Sequence, residues 1–173
     1  MKFNDIRQAM WANVFHPKKD VEVSRLDFLN QIPLFHGLRP WELKSVAHII
    51  HQRKYEESEY LFEQGQPGAA LFIIESGEVC VELGLPDSPT YTKLVHLGPG
   101  SFLGELALLD QSPRSASARA CTATHCYALF RKDLDSLVDT HASTGFKIYK
   151  ALASIIGDRL KTSNTIISIK KAA

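Results

Sequence analysis

Read from its N-terminus, the chain changes hydrophobic period twice. Phe3, Ile6, Met10 and Val14, with Trp11 beside them, recur at helical spacing and predict a first helix over 1–15, ended by His16-Pro17. Pro17 to Asp20 reads as a polar connector. Ser24 is placed to cap a helix through Leu29. Pro33 to Leu38 forms a tight turn, and Pro40-Trp41-Glu42-Leu43 opens a helix with Leu43, Val46, Ala47 and Ile50 on one face. From about 52 to 130 the period becomes that of strands. Leu71-Phe72-Ile73-Ile74 is a buried run, Val79 to Leu83 alternates, and Leu94 to Leu97, 115–120 and 123–130 follow, punctuated by glycine turns. Pro86-Asp87-Ser88-Pro89 marks an exposed loop tip. Several short strands at regular spacing imply a sandwich or barrel. From Lys132 the helical period returns. Leu134, Leu137 and Val138 make a short amphipathic piece. Ser143 then precedes a long helix to about 168, with Ile148, Leu152, Ile155, Ile156, Leu160 and Ile167 in a broad apolar stripe.

One stretch fits neither period well. Gly100-Ser101-Phe102-Leu103-Gly104-Glu105 leads into Leu106-Ala107-Leu108-Leu109, about one turn of good helix formers, and nine residues after Glu105 stands Arg114 between Pro113 and Ser115-Ala116. A single turn behind a glycine contributes little as a structural element, but its unpaired N–H groups suit an anion. A guanidinium adds a planar fork of donors that fits phosphate. The segment therefore offers amides, a carboxylate, a guanidinium and a hydroxyl, which suit a phosphate beside a sugar hydroxyl. The plainer alternative is a structural ion pair between Glu105 and Arg114.

The run from Phe102 to Leu108, with Pro113-Arg114-Ser115-Ala116, resembles the phosphate-binding cassette of cyclic nucleotide-binding domains, in its bacterial form. These are the domains of the catabolite activator protein, protein kinase regulatory subunits and cyclic-nucleotide-gated channels. Ile32 to Leu38 and the turn glycines Gly65, Gly77 and Gly100 carry the resemblance across about 24–165. The resemblance implies an α+β fold: an eight-stranded antiparallel β-roll, jelly-roll-like, with an N-terminal helical bundle and a long C-terminal helix. It divides the chain into an N-terminal helix and connector over 1–20 and a nucleotide-binding domain over 21–173, with bundle 24–50, roll 52–130 and C-terminal helices 132–168.

The same resemblance implies the site. Arg114 would pair with a cyclic phosphate and Glu105 would hold a ribose 2′-hydroxyl, with Gly104, Leu106, Ala107 and Ser115 around them. The base would lie by Val81, Leu94, Val95 and Leu103, capped from the last helix by Thr162, Ser163 and Asn164. Ser115 favours cyclic AMP, with cyclic GMP the alternative. The last helix would also pair two copies as a homodimer.

Composition adds boundaries. With 173 residues, 45% hydrophobic, 23% charged and a net charge of +1, the sequence fits one soluble globular domain and generates no global field for nucleic acid or an anionic membrane. It holds no membrane-length apolar run and no apolar signal core at Met1-Lys2-Phe3-Asn4-Asp5, so a cytoplasmic protein is expected. Cys80, Cys121 and Cys126 read as buried free thiols. His48 and His51, three apart, read as neighbours on one helix without further metal ligands. No catalytic pairing, metal site or cofactor emerges, so a non-enzymatic sensor acting on a protein effector is expected, with a ligand-silent scaffold of the same fold as the alternative. The sequence ends at Ile169-Lys170-Lys171-Ala172-Ala173 without the helix-turn-helix of a family transcription factor, which predicts no direct DNA binding.

Overall fold

The computed structural model of the chain describes residues 17–84, 91–110 and 112–172, excepting the side chains of 17–23, 107 and 163–172. The expected first helix over 1–15 and the loop tip at 86–89 lie outside the described residues. Helix α1 (Pro17–Asn30) leads through a single 3-10 turn (Pro33–Phe35) to α2 (Pro40–Ile49). The supposed connector at Pro17 to Asp20 is thus the first turn of α1, and Ser24 lies inside the helix rather than capping it. Proline's fixed φ suits the first helical position, and a polar first turn is compatible with helix. Ile50 also departs from expectation: it is the first residue of a strand, in extended conformation and 5% exposed, instead of the last on a helix face.

Eight strands follow among the described residues: β1 (Ile50–Tyr55), β2 (Tyr60–Phe62), β3 (Ala70–Ser76), β4 (Val79–Leu83), β5 (Thr92–Leu97), β6 (Phe102–Leu103), β7 (Ser117–Ala120) and β8 (Thr124–Phe130). The one-turn helix α3 (Leu106–Leu109) stands between β6 and β7, and α4 (Arg131–Thr140) and α5 (Ala142–Ala172) close the chain. The strands form two four-stranded sheets ordered β1-β8-β3-β6 and β2-β7-β4-β5, all pairings antiparallel. They face each other as an open roll with helices on one side, the α+β architecture expected.

Alternation along β3 and β8 explains why both read as continuous apolar runs. Leu71, Ile73, Tyr127 and Leu129 pack with the helices, against Leu29, Phe35, Val46, Leu134, Ile148 and Leu152. Ala70, Phe72, Ile74, Leu103, Cys126 and Ala128 face the second sheet's Leu61, Val79, Ala118 and Ala120. β3 and β8, in the middle of the first sheet, are covered on both faces, so neither carries a polar period.

A polar contact ties the helices together. The Glu42 carboxylate, 1% exposed on α2, accepts bonds from the Arg39 backbone N–H at 2.6 Å and from Lys147 Nζ of α5 at 2.6 Å. The Arg39 amide first, and Lys147 after it, hold the Glu42 carboxyl below the ordinary carboxylate range despite its burial. His48 and His51 do not share a helix: His48 is on α2, whereas His51 is on β1 and meets the Asp133 carboxylate at 2.8 Å.

Candidate functional site

The cassette hangs from the first sheet. β6 pairs with β3, Phe72 opposite Leu103 and Ile73 opposite Phe102, and the chain then turns at Gly104 with φ +75°. That value lies in the left-handed region that side chains avoid. Space gives a second reason for glycine here, because a Cβ at 104 would stand 2.5 Å from Arg114 Nη1 and 3.2 Å from the Ala70 carbonyl oxygen.

Arg114 is fixed at both ends. Its N–H donates to Gln66 O at 2.8 Å, and its carbonyl accepts from Gly65 N–H at 2.9 Å. In the side chain, Nη2 donates to Ala70 O at 2.7 Å and Nη1 to Gly104 O at 3.1 Å. The guanidinium carbon lies 4.0 Å from the centre of the Phe62 ring, a cation–π contact. The residue is 8% exposed, and its Nε has no hydrogen-bond partner. Burial pulls the Arg114 pKa down, while the Glu105 carboxylate opposes that shift. An arginine remains charged under such a shift, so the site holds a buried cation with an unused donor.

Glu105 is paired, but not with Arg114. Its Oε1 accepts from Arg159 Nη1 of α5 at 2.6 Å, Arg159 Nη2 donates to Phe102 O at 3.2 Å, and the guanidinium lies 4.8 Å from the Phe102 ring centre. The proposed Glu105–Arg114 structural pair is therefore replaced by two separate arrangements. Arg114 is clamped by carbonyls, and Glu105 is joined to the last helix.

A cleft of about 1010 Å³ opens beside these groups, at the upper end of the ~300–1,000 Å³ of small-molecule sites. Gly104, Glu105, Leu106, Arg114 and Ser115 line it, together with Val81, Leu94, Val95, Leu103 and Thr162. Leu94, Val95 and Leu106 are 51%, 45% and 44% exposed, so one wall is apolar and open to solvent. Thr162 Oγ1 donates back to the Asp158 carbonyl at 3.0 Å, leaving its oxygen as an acceptor. Ala107 lies in α3, and Ser163 and Asn164 lie in α5; their side chains are outside the described residues. The long helix starts at Ala142, one residue before Ser143, and runs to Ala172 rather than about 168.

Sequence reasoning overlooked Arg159, Phe62 and Phe72. Ile155, Arg159 and Thr162 fall at i, i+4 and i+7, which puts all three on one helix face. All three line the cleft. That spacing was available in the sequence; the aromatic platform was not, because β2 and β3 lie in different sheets and meet only through the fold.

The cysteines depart from expectation too. Cys80 and Cys121 are joined as a disulfide, and only Cys126 is a free buried thiol. β4 and β7 are antiparallel neighbours, with Cys80 opposite Arg119, and Cys121, just past β7, stands diagonally across from Cys80 with their Cα atoms 5.8 Å apart.

Known proteins resemble this chain in sequence and in fold. The profile of the cyclic nucleotide-binding domain matches residues 52–141. A cyclic AMP receptor protein of Thermus thermophilus is 40% identical over 109 residues, 61% of this chain and 49% of the receptor. A cAMP-dependent protein kinase regulatory subunit of Colletotrichum orbiculare is 38% identical over 116 residues, 67% of this chain and 28% of the subunit. Among solved structures, a cyclic nucleotide-binding domain from Methylobacillus flagellatus has a TM-score of 0.75 at 26% identity, covering 87% of this chain and 84% of that one. The chain thus spans half or less of the length of the two sequence relatives.

Proposed function

This chain belongs to the cyclic nucleotide-binding domain family, and from that premise we propose that it is a cyclic AMP sensor that regulates a protein partner through its helices. The observation that carries the reading is Arg114: a buried guanidinium with a free Nε, held at the edge of a cleft whose other wall is apolar. A cyclic phosphate supplies the acceptor that Nε lacks. Glu105 uses Oε1 for Arg159, and its second oxygen accepts the ribose 2′-hydroxyl. The apolar cleft lining of Val81, Leu94, Val95 and Leu103 receives the base, and the face of α5 bearing Thr162 covers it. Ser115, on the lining, favours adenine over guanine. This binding role involves no reaction.

Signalling follows from which groups the ligand touches. A ligand shifts a conformational equilibrium only through contacts that differ between the two states. Here the ribose contact falls on Glu105, which is already tied to α5 by Arg159. α5 in turn is tied to α2 by Lys147 and Glu42. A nucleotide that changes the Glu105–Arg159 pair therefore moves the helix that carries both contacts. No described helix is long and apolar enough to cross a membrane. The exposure of Phe146 and Leu160, two heptads apart on α5 at 67% and 60%, supports a second copy pairing along that helix.

The reading is tested by calorimetric titration of the purified chain with cyclic AMP and cyclic GMP in parallel. Saturable binding with cyclic AMP preferred is expected. A folded chain that binds neither nucleotide refutes the sensor and leaves a scaffold.

A further inference from the structure

On the second sheet, facing away from the roll's interior, three metal-binding side chains converge. β4 runs between β5 and β7, so Cys80 stands opposite His96 on one side and Arg119 on the other. Cys121 follows β7 directly, and its N–H donates to the Glu78 carbonyl at 2.8 Å, which fixes it alongside β4. The Cα atoms of Cys80 and Cys121 are 5.8 Å apart across 41 residues of sequence. The His96 ring presents Nδ1 at 3.5 Å and Nε2 at 3.8 Å from Cys80 Sγ. One ligand atom from each of the three residues falls within 4.8 Å of the others.

We propose that Cys80, Cys121 and His96 form a binding site for a divalent thiophilic cation of the zinc class when the disulfide is reduced. Two thiolates and an imidazole are a soft-to-borderline donor set, which selects such ions over magnesium or calcium. Strand pairing places all three donors before any ion arrives, so binding requires no refolding of the sheet. Cys80 is buried, Cys121 half-buried and His96 exposed, which leaves the fourth position of a tetrahedron open to water.

The two states of the sulfurs exclude each other. A dithiol reductant transfers two electrons and two protons to the Cys80–Cys121 bond. The S–S bond breaks, two thiols form, and the reductant leaves as its own disulfide. The cation then displaces the two thiol protons and takes the sulfurs as thiolates. Cys126 takes no part: burial pushes its thiol up to about 12, and it lies on the face of β8 turned to the roll's interior. The site does not depend on the nucleotide reading.

The test is cobalt(II) titration of the full chain, first reduced and freed of reductant without air, with thiol counting before the metal is added. One equivalent per chain is expected, with a thiolate-to-cobalt charge-transfer absorption and the visible bands of a tetrahedral ion, and with displacement by zinc. Cys121→Ser and Cys80→Ser abolish the charge-transfer band, and His96→Gln lowers cobalt affinity with both thiols still present. Cys121 is half-buried, so its variant folds even where the Cys80 variant does not, and thiol counting with a melting curve identifies a folded variant. The oxidised chain takes up no cobalt. The proposal is overturned if the reduced chain, with its thiols counted, binds no cobalt, or if binding survives either Cys121→Ser or His96→Gln unchanged.

Discussion

Arg159 of the last helix donates to Glu105 of the cassette at 2.6 Å and lies over the Phe102 ring, 4.8 Å from its centre. The pair joins the cassette beside the cleft to the last helix, the element that the proposed signal moves. Its Arg159 end is about half exposed, so it contributes little to stability, on the order of 0–1 kcal/mol. Arg159→Ala should therefore leave the melting temperature nearly unchanged and cyclic AMP affinity within about tenfold. The coupling should suffer more. Hydrogen exchange over 152–162 is expected to slow on adding cyclic AMP in the wild type and to respond much less in the variant. Equal protection in both would show that Arg159 does not carry the signal.

Gly104 sits under a different constraint. An alanine there meets both a left-handed backbone and the Arg114 guanidinium. Strain of this kind costs about 1–3 kcal/mol, and the displaced arginine loses its place facing the cleft. Gly104→Ala is expected to lower the melting temperature and to abolish nucleotide binding in the folded fraction. A variant that binds as the wild type does would refute the close packing of Gly104 and Arg114.

Stability should depend on pH through Glu42. Its folded pKa is depressed, chiefly by the Arg39 amide and then by Lys147. The unfolded chain therefore binds a proton at this residue before the folded chain does. The contribution is complete above the unfolded value, about 4.3, and is lost as pH falls through the lower folded value. Glu42→Gln should flatten that part of the acid limb of a stability–pH curve. It should also cost on the order of 1–3 kcal/mol at neutral pH, because Lys147 loses its buried partner. An acid limb identical to the wild type would assign the dependence to other carboxylates.

Phe146 and Leu160 test the second copy. Sedimentation should give a dimer for the wild type and a monomer for Phe146→Glu, with an unchanged melting profile at low concentration. A wild type that sediments as a monomer would remove the dimer and leave both residues as exposed surface.

Much of this molecule was legible in its sequence, for identifiable reasons. The strands of the roll announced themselves because β4 alternates and β3 is buried on both faces, patterns that one short window contains. The cassette was legible because Gly104, Glu105 and Arg114 lie within eleven residues and each type has a specific physical use. What remained hidden depended on contacts distant in sequence. Arg159 reaches Glu105 across 54 residues, and Cys121 reaches Cys80 across 41. No local pattern reports either. The start of α1 was missed for another reason: Lys18, Lys19 and Asp20 are polar and follow a proline, which suits a loop and a first helical turn equally well.

The central claim is that Arg114 holds the phosphate of a cyclic nucleotide, and titration of Arg114→Leu with cyclic AMP beside the wild type tests it most directly. Charge-assisted hydrogen bonds contribute about 1.5–3 kcal/mol each. The account therefore predicts saturable wild-type binding and a loss of roughly 100-fold or more in the variant, in protein shown by its melting curve to be folded. Arg114→Lys, which keeps the charge without the fork, should fall between them. Folded Arg114→Leu that binds cyclic AMP with wild-type affinity would contradict the account.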